Sequence, residues 1–362
     1  MPLSIARIAA ALNFSCGEHV ARLFRIEKGS VHLFTVGTIG NMESQELMMR
    51  CKSYSILLSL FVIILCIHCA PEYNSYNMNR ISKQKVFKIT VQNKNYDLHR
   101  PDGVTALVVE IQGWPGNAFG LWLPENIDVN DKYVWTNWED KDVWPDWTPG
   151  VVYQNWEKGS DGSLRWKKSF QEFDFMSELV PDEENFCIWY RHRFTNTSNS
   201  ILRELNANAC FHLSNAPQFI SVTGERYWAC IDGKWTTSDK APRGKSPDPR
   251  RIGFLREGLR SERTVVPNYT FPSAMMPQHS SHPLIIAESF DGKASVGIAA
   301  RHFHDVWNNN DSILRCLHSN SEPIEILPPG ETKIIEGVII FYEGNHKDLL
   351  AHYEAITKNS WN

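Results

Sequence analysis

Apolar and polar residues alternate with a period of two along much of this chain, which is the pattern of half-buried β-strands. Residues 186–195 show it most simply, with Ile188, Tyr190 and Phe194 on one side and Arg191 and Arg193 on the other. The same pattern, or a run rich in Val and Ile between turn residues, predicts further strands over residues 85–91, 104–112 and 164–179.

The alternating run at residues 202–213 predicts a strand with two unlike faces. Odd positions carry Leu205, Ala207, Ala209, Phe211 and Leu213, which should pack in the core. Even positions carry hydrogen-bonding groups that end at a histidine, namely Glu204, Asn206, Asn208, Cys210 and His212. Such a row is too rich in amides for an ordinary solvated face, so it predicts a functional site on this side of the strand.

Residues 301–343 read as strand, polar turn, strand, Pro-Gly turn and long strand. His302, His304 and His318 fall where strands end, and the two-residue offset predicts His302 and His304 on one strand face. Residues 334–342 are apolar on both faces and should form a central strand.

Two regions lack this periodicity. Residues 113–162 mix Trp with Pro, Gly, Asp and Asn, which predicts a long loop region with short strands. Residues 236–283 predict a second excursion with one short strand near residues 263–266. After them, Asp291-Gly292 predicts a hairpin turn between residues 284–288 and 294–300.

One helix is predicted, at the C-terminal end of the chain over residues 345–358. Asn345 can cap it and Asp348 lies in its first turn. Its apolar stripe is Leu349, Leu350, Tyr353 and Ile356. Many strands and one late helix predict an all-β sandwich.

Composition and charge narrow the function. The formal net charge of −4 over 362 residues gives no sign of a nucleic-acid surface. Eight of the thirteen Trp residues lie between Trp114 and Trp166, which predicts either a packed lid or a sugar-binding surface. Phosphate-binding, dinucleotide-binding and Gly-x-Ser-x-Gly motifs are absent from the sequence.

The N-terminal segment resembles a targeting signal behind a misplaced start. Residues 48–70 pair a basic start with a short apolar core, which predicts a signal peptide or a lipoprotein signal with Cys69 as the lipidated residue. A single membrane anchor is the alternative. Residues 1–47 are predicted to be a non-native or disordered leader, 71–84 a tether and 85–360 the folded domain. The expected location is exported: periplasmic, secreted or on the outer surface.

Four cysteines follow this leader: Cys187, Cys210, Cys230 and Cys316. Export permits up to two disulfides, and buried free thiols are the alternative. No Cys-x-x-Cys pair indicates structural zinc, and no metal or other cofactor is predicted.

From residue 85 onward the chain resembles the galactose-mutarotase-like family, which includes aldose 1-epimerases and domains of polysaccharide lyases and glycosidases. Three matches carry the resemblance. Residues 206–213 resemble the epimerase strand that ends in a site histidine, and residues 313–319, ILRCLHS, stand where epimerases carry a catalytic glutamate. Residues 327–331, LPPGE, are similar to the family's Pro-Gly-Glu turn. The resemblance implies a large antiparallel two-sheet supersandwich and a sugar site, with His318 at the position of the glutamate.

The candidate site follows from these patterns. His212, His304 and His318 are the predicted acid and base groups, because histidine titrates near neutral pH. The predicted substrate-binding residues are Asn206, Asn208, Trp138, Trp144, Trp147, Arg301, Asp305 and Trp307. The predicted ligand is a sugar or polysaccharide, and any membrane contact would come through an N-terminal lipid. The predicted function is a lyase, glycoside hydrolase or epimerase, and the alternative is a glycan-binding protein without catalysis that uses the Trp-rich loops.

Overall fold

The computed structural model describes residues 20–27, 30–38, 86–92, 106–130, 132–137, 151–241, 251–259, 275–310 and 315–361. The chain divides into two units, residues 1–80 and 81–362. In the first unit, strands β1 (Val20–Glu27) and β2 (Ser30–Thr38) form an antiparallel hairpin. The predicted signal and tether lie outside the described residues, so those assignments stay predictions.

In the second unit, most of the described residues lie in strands. They are β3 Phe87–Val91, β4 Leu107–Ile111, β5 Ala118–Val129, β6 Lys132–Trp135, β7 Glu157–Lys158, β8 Leu164–Ser169, β9 Phe173–Asp182, β10 Cys187–Asn196, β11 Leu202–His212, β12 Tyr227–Ile231, β13 Lys234–Thr237, β14 Arg251–Arg256, β15 Met275–Ser280, β16 Ile285–Glu288, β17 Ser295–Ala300, β18 Phe303–Asn310, β19 Arg315–Ser321, β20 Ile324–Leu327 and β21 Thr332–Tyr342.

Hydrogen bonding joins these strands into one large sheet with two halves. One half has the order β8-β9-β10-β21-β17-β16-β12, and the other has the order β3-β4-β5-β11-β19-β18-β14-β15. The halves meet where β15 pairs with β12 through Ile231 and Ser280. Among the described strand pairs, only β14 and β15 run parallel, so the sheet is mixed but almost entirely antiparallel, and the predicted all-β fold class is confirmed.

The core lies between the two halves. Phe341 on β21 packs against Phe119 on β5 and Phe211 on β11, with ring centroids 5.4 and 5.9 Å apart. Burying such aromatic side chains supplies much of the free energy that holds the halves together. The odd-numbered face of β11 belongs to this core, as predicted, and so its even-numbered face points away from it.

Among the described residues, one α-helix, α1 (His346–Ser360), follows the last strand. The Asn345 side chain accepts hydrogen bonds from backbone N–H groups at the helix start, and the Asp348 carboxylate accepts one from the Asn345 backbone N–H, forming the predicted cap. Leu349, Tyr353 and Ile356 are buried in a second apolar cluster with Val338 of β21. Within the described ranges, no helix is both long and apolar enough to cross a membrane.

Several element predictions are confirmed, including the central strand β21 and the β16–β17 hairpin with Gly292 at positive φ. Others are wrong. Residues 113–162 contain the twelve-residue strand β5, and the single strand predicted over 164–179 is two strands that turn at residues 170–172. Residues 236–283 contain β14 and β15, whereas the strand predicted near 263–266 lies outside the described residues.

Candidate functional site

The register of β11 and β19 brings two predicted histidines to one sheet face. His212 pairs with Cys316 and Phe211 with Leu317 in this antiparallel pair, so Cys210 lies opposite His318. His212 and His318 are 2% and 0% exposed, and the charge of His212 contributes to the lowered pKa of His318, so the imidazoles are neighbours.

We call the surface around them the polar face. It spans β5, β11, β19 and β18, and every member is buried. Register and hydrogen bonds assign to it Glu125, Asn126, Asp128, Asn206, Asn208, Cys210, His212, His304, Asp305, Trp307, Asn309, Cys316, His318 and Asn320.

A chain of hydrogen bonds links β11 to β5 across this face. Asn206 Nδ2 donates to Asn208 Oδ1 at 3.2 Å, and Asn208 Nδ2 donates to Asn126 Oδ1 at 3.0 Å. Asn126 Nδ2 in turn donates to Asp128 Oδ1 at 2.7 Å. The other carboxyl oxygen, Asp128 Oδ2, is buried without a hydrogen-bond partner among the described residues. Such an atom costs about 1–3 kcal/mol, so the chain of bonds ends on a group that is ready to meet a ligand.

Burial controls the protonation of this carboxyl group. Desolvation raises the pKa of Asp128 from 3.8 to about 8, and the bond from Asn126 opposes the rise. Desolvation likewise raises the pKa of Glu125 to about 8, with the charge of Arg251 lowering it and that of Asp128 raising it. Asp128 is therefore a neutral carboxylic acid at neutral pH, able to donate a proton.

This pKa predicts a stability effect with a definite sign. Between pH 4 and 8, Asp128 is ionised in the unfolded chain and protonated in the folded protein. The free energy of unfolding therefore falls by roughly 1.4 kcal/mol for each unit by which the pH rises. Asp128→Asn should remove this loss, making the variant more stable than the wild type at pH 7 and its pH dependence shallower. Urea unfolding from pH 4 to 7 measures it.

Other titratable groups near Asp128 also affect this pH dependence, and Asp182 provides a control. Glu125 adds a slope of the same sign, and Tyr133 and Asn206 lie opposite Asp128 on the flanking strands. Desolvation would raise the pKa of Asp182, but hydrogen bonds from Asn185 lower it below its usual value. Asp182→Asn should therefore reduce the free energy of unfolding at pH 7, the opposite of the effect expected for Asp128→Asn. An unchanged slope in Asp128→Asn would show that Asp128 is ionised in the folded protein.

Two irregular strand pairings bring extra titratable side chains to the polar face. Between Asn208 and Cys210 the register with β5 jumps from Asn126 to Trp122, so β5 carries two additional residues there. This bulge carries Glu125, whose Oε2 lies 3.5 Å from His318 Nδ1. Strict alternation would have directed this odd-numbered residue towards the core.

The second bulge lies in β18, between Phe303 and Asp305. It inserts His304, whose Nδ1 lies 2.9 Å from Asp305 Oδ2, while Asn320 Nδ2 donates to Asp305 Oδ1 at 2.9 Å. The carboxylate of Asp305 therefore orients the imidazole of His304. His302 precedes the strand in an exposed turn, so the prediction that it shares a strand face with His304 is wrong.

His318 is fully buried and is in contact with Trp307 and Cys316. The Trp307 ring stacks on its imidazole with centroids 3.6 Å apart and planes 7° from parallel. His318 Nε2 lies 2.9 Å from Cys316 Sγ. Burial first, and the charge of His212 second, lower the pKa of His318 well below its usual range. The imidazole is therefore neutral, and its contacts fix its orientation.

The remaining predicted residues divide into two groups. Arg301 does not join the polar face, because its guanidinium pairs with Glu336 at 2.8 Å and donates to the Trp361 carbonyl oxygen at 2.6 Å. Trp138, Trp144 and Trp147 lie outside the described residues. The sequence reasoning missed Glu125, Asn126, Asp128, Asn309 and Asn320. The alternating amide and acid positions of 126–128 were a signal that could have found two of them.

The four described cysteines are buried free thiols, which settles the alternative to disulfides left open by the sequence. Cys210 and Cys316 lie together on the polar face. Burial, and then the hydrogen bond with the Cys316 thiol, raise the pKa of Cys210 well above its usual range.

Comparisons with known proteins give a coarse picture. The sequence matches no family model and no curated protein. Similar solved structures include the galactosidase domain of an α-galactosidase–sucrose kinase, with 13% identity and a TM-score of 0.32. They also include a candidate aldose 1-epimerase from Klebsiella pneumoniae subsp. pneumoniae, with 14% identity and a TM-score of 0.31, and a polysaccharide lyase, with 11% identity and a TM-score of 0.35.

The matched regions are partial. They cover 62%, 56% and 74% of this chain, and 28%, 56% and 34% of the galactosidase, epimerase and lyase chains. The names of these proteins indicate activity on carbohydrates, but likenesses at this level assign no activity to this chain. Its function must be argued from the polar face.

Proposed function

We propose that this protein is a carbohydrate-active enzyme that binds a sugar on the polar face and transfers protons there. The observation that carries the proposal is the row of buried amides and carboxyls on this face. Its hydrogen bonds form two separate groups, one that ends in Asp128 and one that joins Asn320 to Asp305. Asp128 Oδ2 and Asn320 Oδ1 have no hydrogen-bond partners among the described residues. A purely structural network would be expected to satisfy its own members.

Sugar hydroxyl groups suit this row because each hydroxyl donates one hydrogen bond and accepts others. The amides of Asn208 and Asn320 offer both donors and acceptors to such a ligand. A purely apolar ligand could not form hydrogen bonds with these amides, so its binding would be unfavourable. Lipids and hydrophobic peptides are therefore poor candidates.

The acid and the base lie on opposite sides of the face. Asp128 on β5, protonated at neutral pH, is the proton donor, and His304 on β18, held by Asp305, is the acceptor. Three strand spacings of about 4.8 Å separate β5 from β18, roughly 14 Å in all. Side chains that reach inward from both strands can contact one sugar ring between them.

This arrangement supports chemistry in which one group removes a proton from the sugar while the other protonates an oxygen atom. Elimination from a polysaccharide and opening of a sugar ring both have this requirement. The same groups could assist hydrolysis, so the reaction is decided by its products.

A panel of glycans and polysaccharides, incubated with the full chain, tests the proposal. We expect one class to bind and to yield unsaturated ends, reducing ends or exchanged anomers. Binding without any product would favour the alternative, a glycan-binding protein. Failure of every member to bind would contradict the sugar site itself.

We also propose that the protein is exported, on the basis of the basic and apolar residues 48–70. Expression from Met49 should yield a product that lacks this stretch outside the cytoplasm. Mass spectrometry that finds the intact stretch on a cytoplasmic product would contradict export.

A further inference from the structure

Two Cys-x-His sequences face each other on the polar face. Cys210 and His212 are two residues apart on β11, and Cys316 and His318 are two residues apart on β19. Antiparallel pairing places Cys210 opposite His318 and His212 opposite Cys316. Each thiol therefore lies opposite an imidazole of the neighbouring strand, an arrangement that the widely separated sequence positions conceal.

Three of these side chains converge. Cys210 Sγ, Cys316 Sγ and a ring nitrogen of His318 all lie within 4.8 Å of one another. Ligands that share one tetrahedral zinc ion, at about 2.3 Å for sulfur and 2.0–2.1 Å for nitrogen, are separated by distances of this order. In the part of the chain that the structure describes, this is the one group of at least three His, Cys, Asp or Glu residues with such spacing.

The surroundings of His318 give an independent reason for a metal ion. Its Nε2 is directed at Cys316, whereas its Nδ1 lies 3.5 Å from a carboxyl oxygen of Glu125. Metal-bound histidines commonly have a carboxyl group beside the second nitrogen, which fixes the ring and makes it a stronger ligand, and Glu125 lies where such a group would stand. Stacking by Trp307 holds the ring further.

We infer that Cys210, Cys316 and His318 form a zinc-binding site. Soft thiolates with an imidazole select zinc over magnesium or calcium. Binding of one Zn²⁺ displaces the two thiol protons, so that two thiolates balance the charge of the ion and the buried site stays neutral. Three protein ligands leave one tetrahedral position for a water molecule or a substrate oxygen.

This inference gives His318 a role different from the acid or base predicted from sequence. It does not depend on the sugar proposal, since the ligands can hold the ion whatever binds beside them. The sequence had suggested no metal because neither strand carries a Cys-x-x-Cys pair, and the ligands meet only through cross-strand register.

The test uses the full chain without a polyhistidine tag, loaded with Co²⁺ alone as a spectroscopic probe. We expect about one ion per chain, with sulfur-to-cobalt charge-transfer bands and the strong visible bands of tetrahedral cobalt. Cys210→Ser, Cys316→Ser and His318→Gln should each abolish these bands. Glu125→Gln should keep them and weaken metal affinity by about 10–100-fold.

Cys230→Ser is the matched control, because Cys230 is also a buried thiol but lies beside Ser281, outside the group. It should keep the full spectrum. If the ligand variants do not fold, X-ray absorption of the zinc-loaded wild type replaces them, with two sulfur ligands at about 2.3 Å expected. No stoichiometric metal in the wild type, no sulfur in the zinc shell, or a Cys210–Cys316 disulfide in the purified protein would overturn the site.

Discussion

Replacing Asp128 by Asn or His304 by Ala is expected to reduce turnover of the sugar substrate by about 10²–10⁴-fold each. The Asn variant keeps the shape of the side chain and can still accept the 2.7 Å bond from Asn126, but it cannot donate an acidic proton. The Ala variant removes the imidazole that Asp305 orients. Both variants should fold, and initial rates on the substrate found in the panel measure the effect.

The pH profile gives a second readout. Because a general acid must be protonated, the wild-type rate should fall as pH rises through about 8, the pKa of Asp128. His302→Gln is the control, since His302 lies two residues from His304 in an exposed turn. Equal losses in His302→Gln and His304→Ala would contradict a specific role for His304.

Replacing Gly337 by Ala is expected to lower the free energy of unfolding by about 3 kcal/mol. Gly337 lies in the central strand β21, paired with Tyr190 on one side and Ala300 on the other. An added Cβ would clash with the Tyr190 ring and lie 2.6 Å from the Ala299 carbonyl oxygen. That oxygen belongs to the backbone of a paired strand and has little freedom to move. Urea unfolding measures the loss.

Gly159→Ala is the matched control for this prediction. A Cβ at Gly159 also meets close neighbours, but the nearest are Asp161 Oδ1 at 2.6 Å and Ser163 Oγ at 2.9 Å, both on side chains that can rotate away. The control should therefore cost much less. Similar unfolding midpoints for Gly337→Ala and the wild type would show that β10 and β17 can shift to accept the methyl group.

The sequence predicts the parts of the fold whose alternation is regular. Strand β11 shows the reason, because its odd residues pack in the core while Asn206, Asn208 and His212 lie together on the other face. The central strand β21 and the cap of α1 follow from an apolar run and from Asn345 with Asp348. In each case the local sequence pattern and the tertiary environment favour the same structure.

The sequence conceals the half of the site that β5 contributes. Pro124, Asn126 and Asp128 resemble loop residues by composition, yet they lie in a strand. Neighbouring segments bond the carbonyl oxygen of Pro124 and the side chain of Asn126. Glu125 and His304 reach the polar face through bulges, which break the two-residue period on which the sequence reading relies. Such departures from local rules are expected where a protein builds a functional site.

The most direct test of the sugar site is a crystal structure of Asp128→Asn soaked with the sugar that the panel identifies. This variant should bind the substrate and turn it over slowly, so the intact sugar can be observed. We predict a sugar ring on the polar face, with hydroxyl groups hydrogen-bonded to Asn320 Oδ1 and to the side chain at position 128. His304 should lie across the ring from position 128. A sugar bound elsewhere, with the polar face unchanged, would contradict the account.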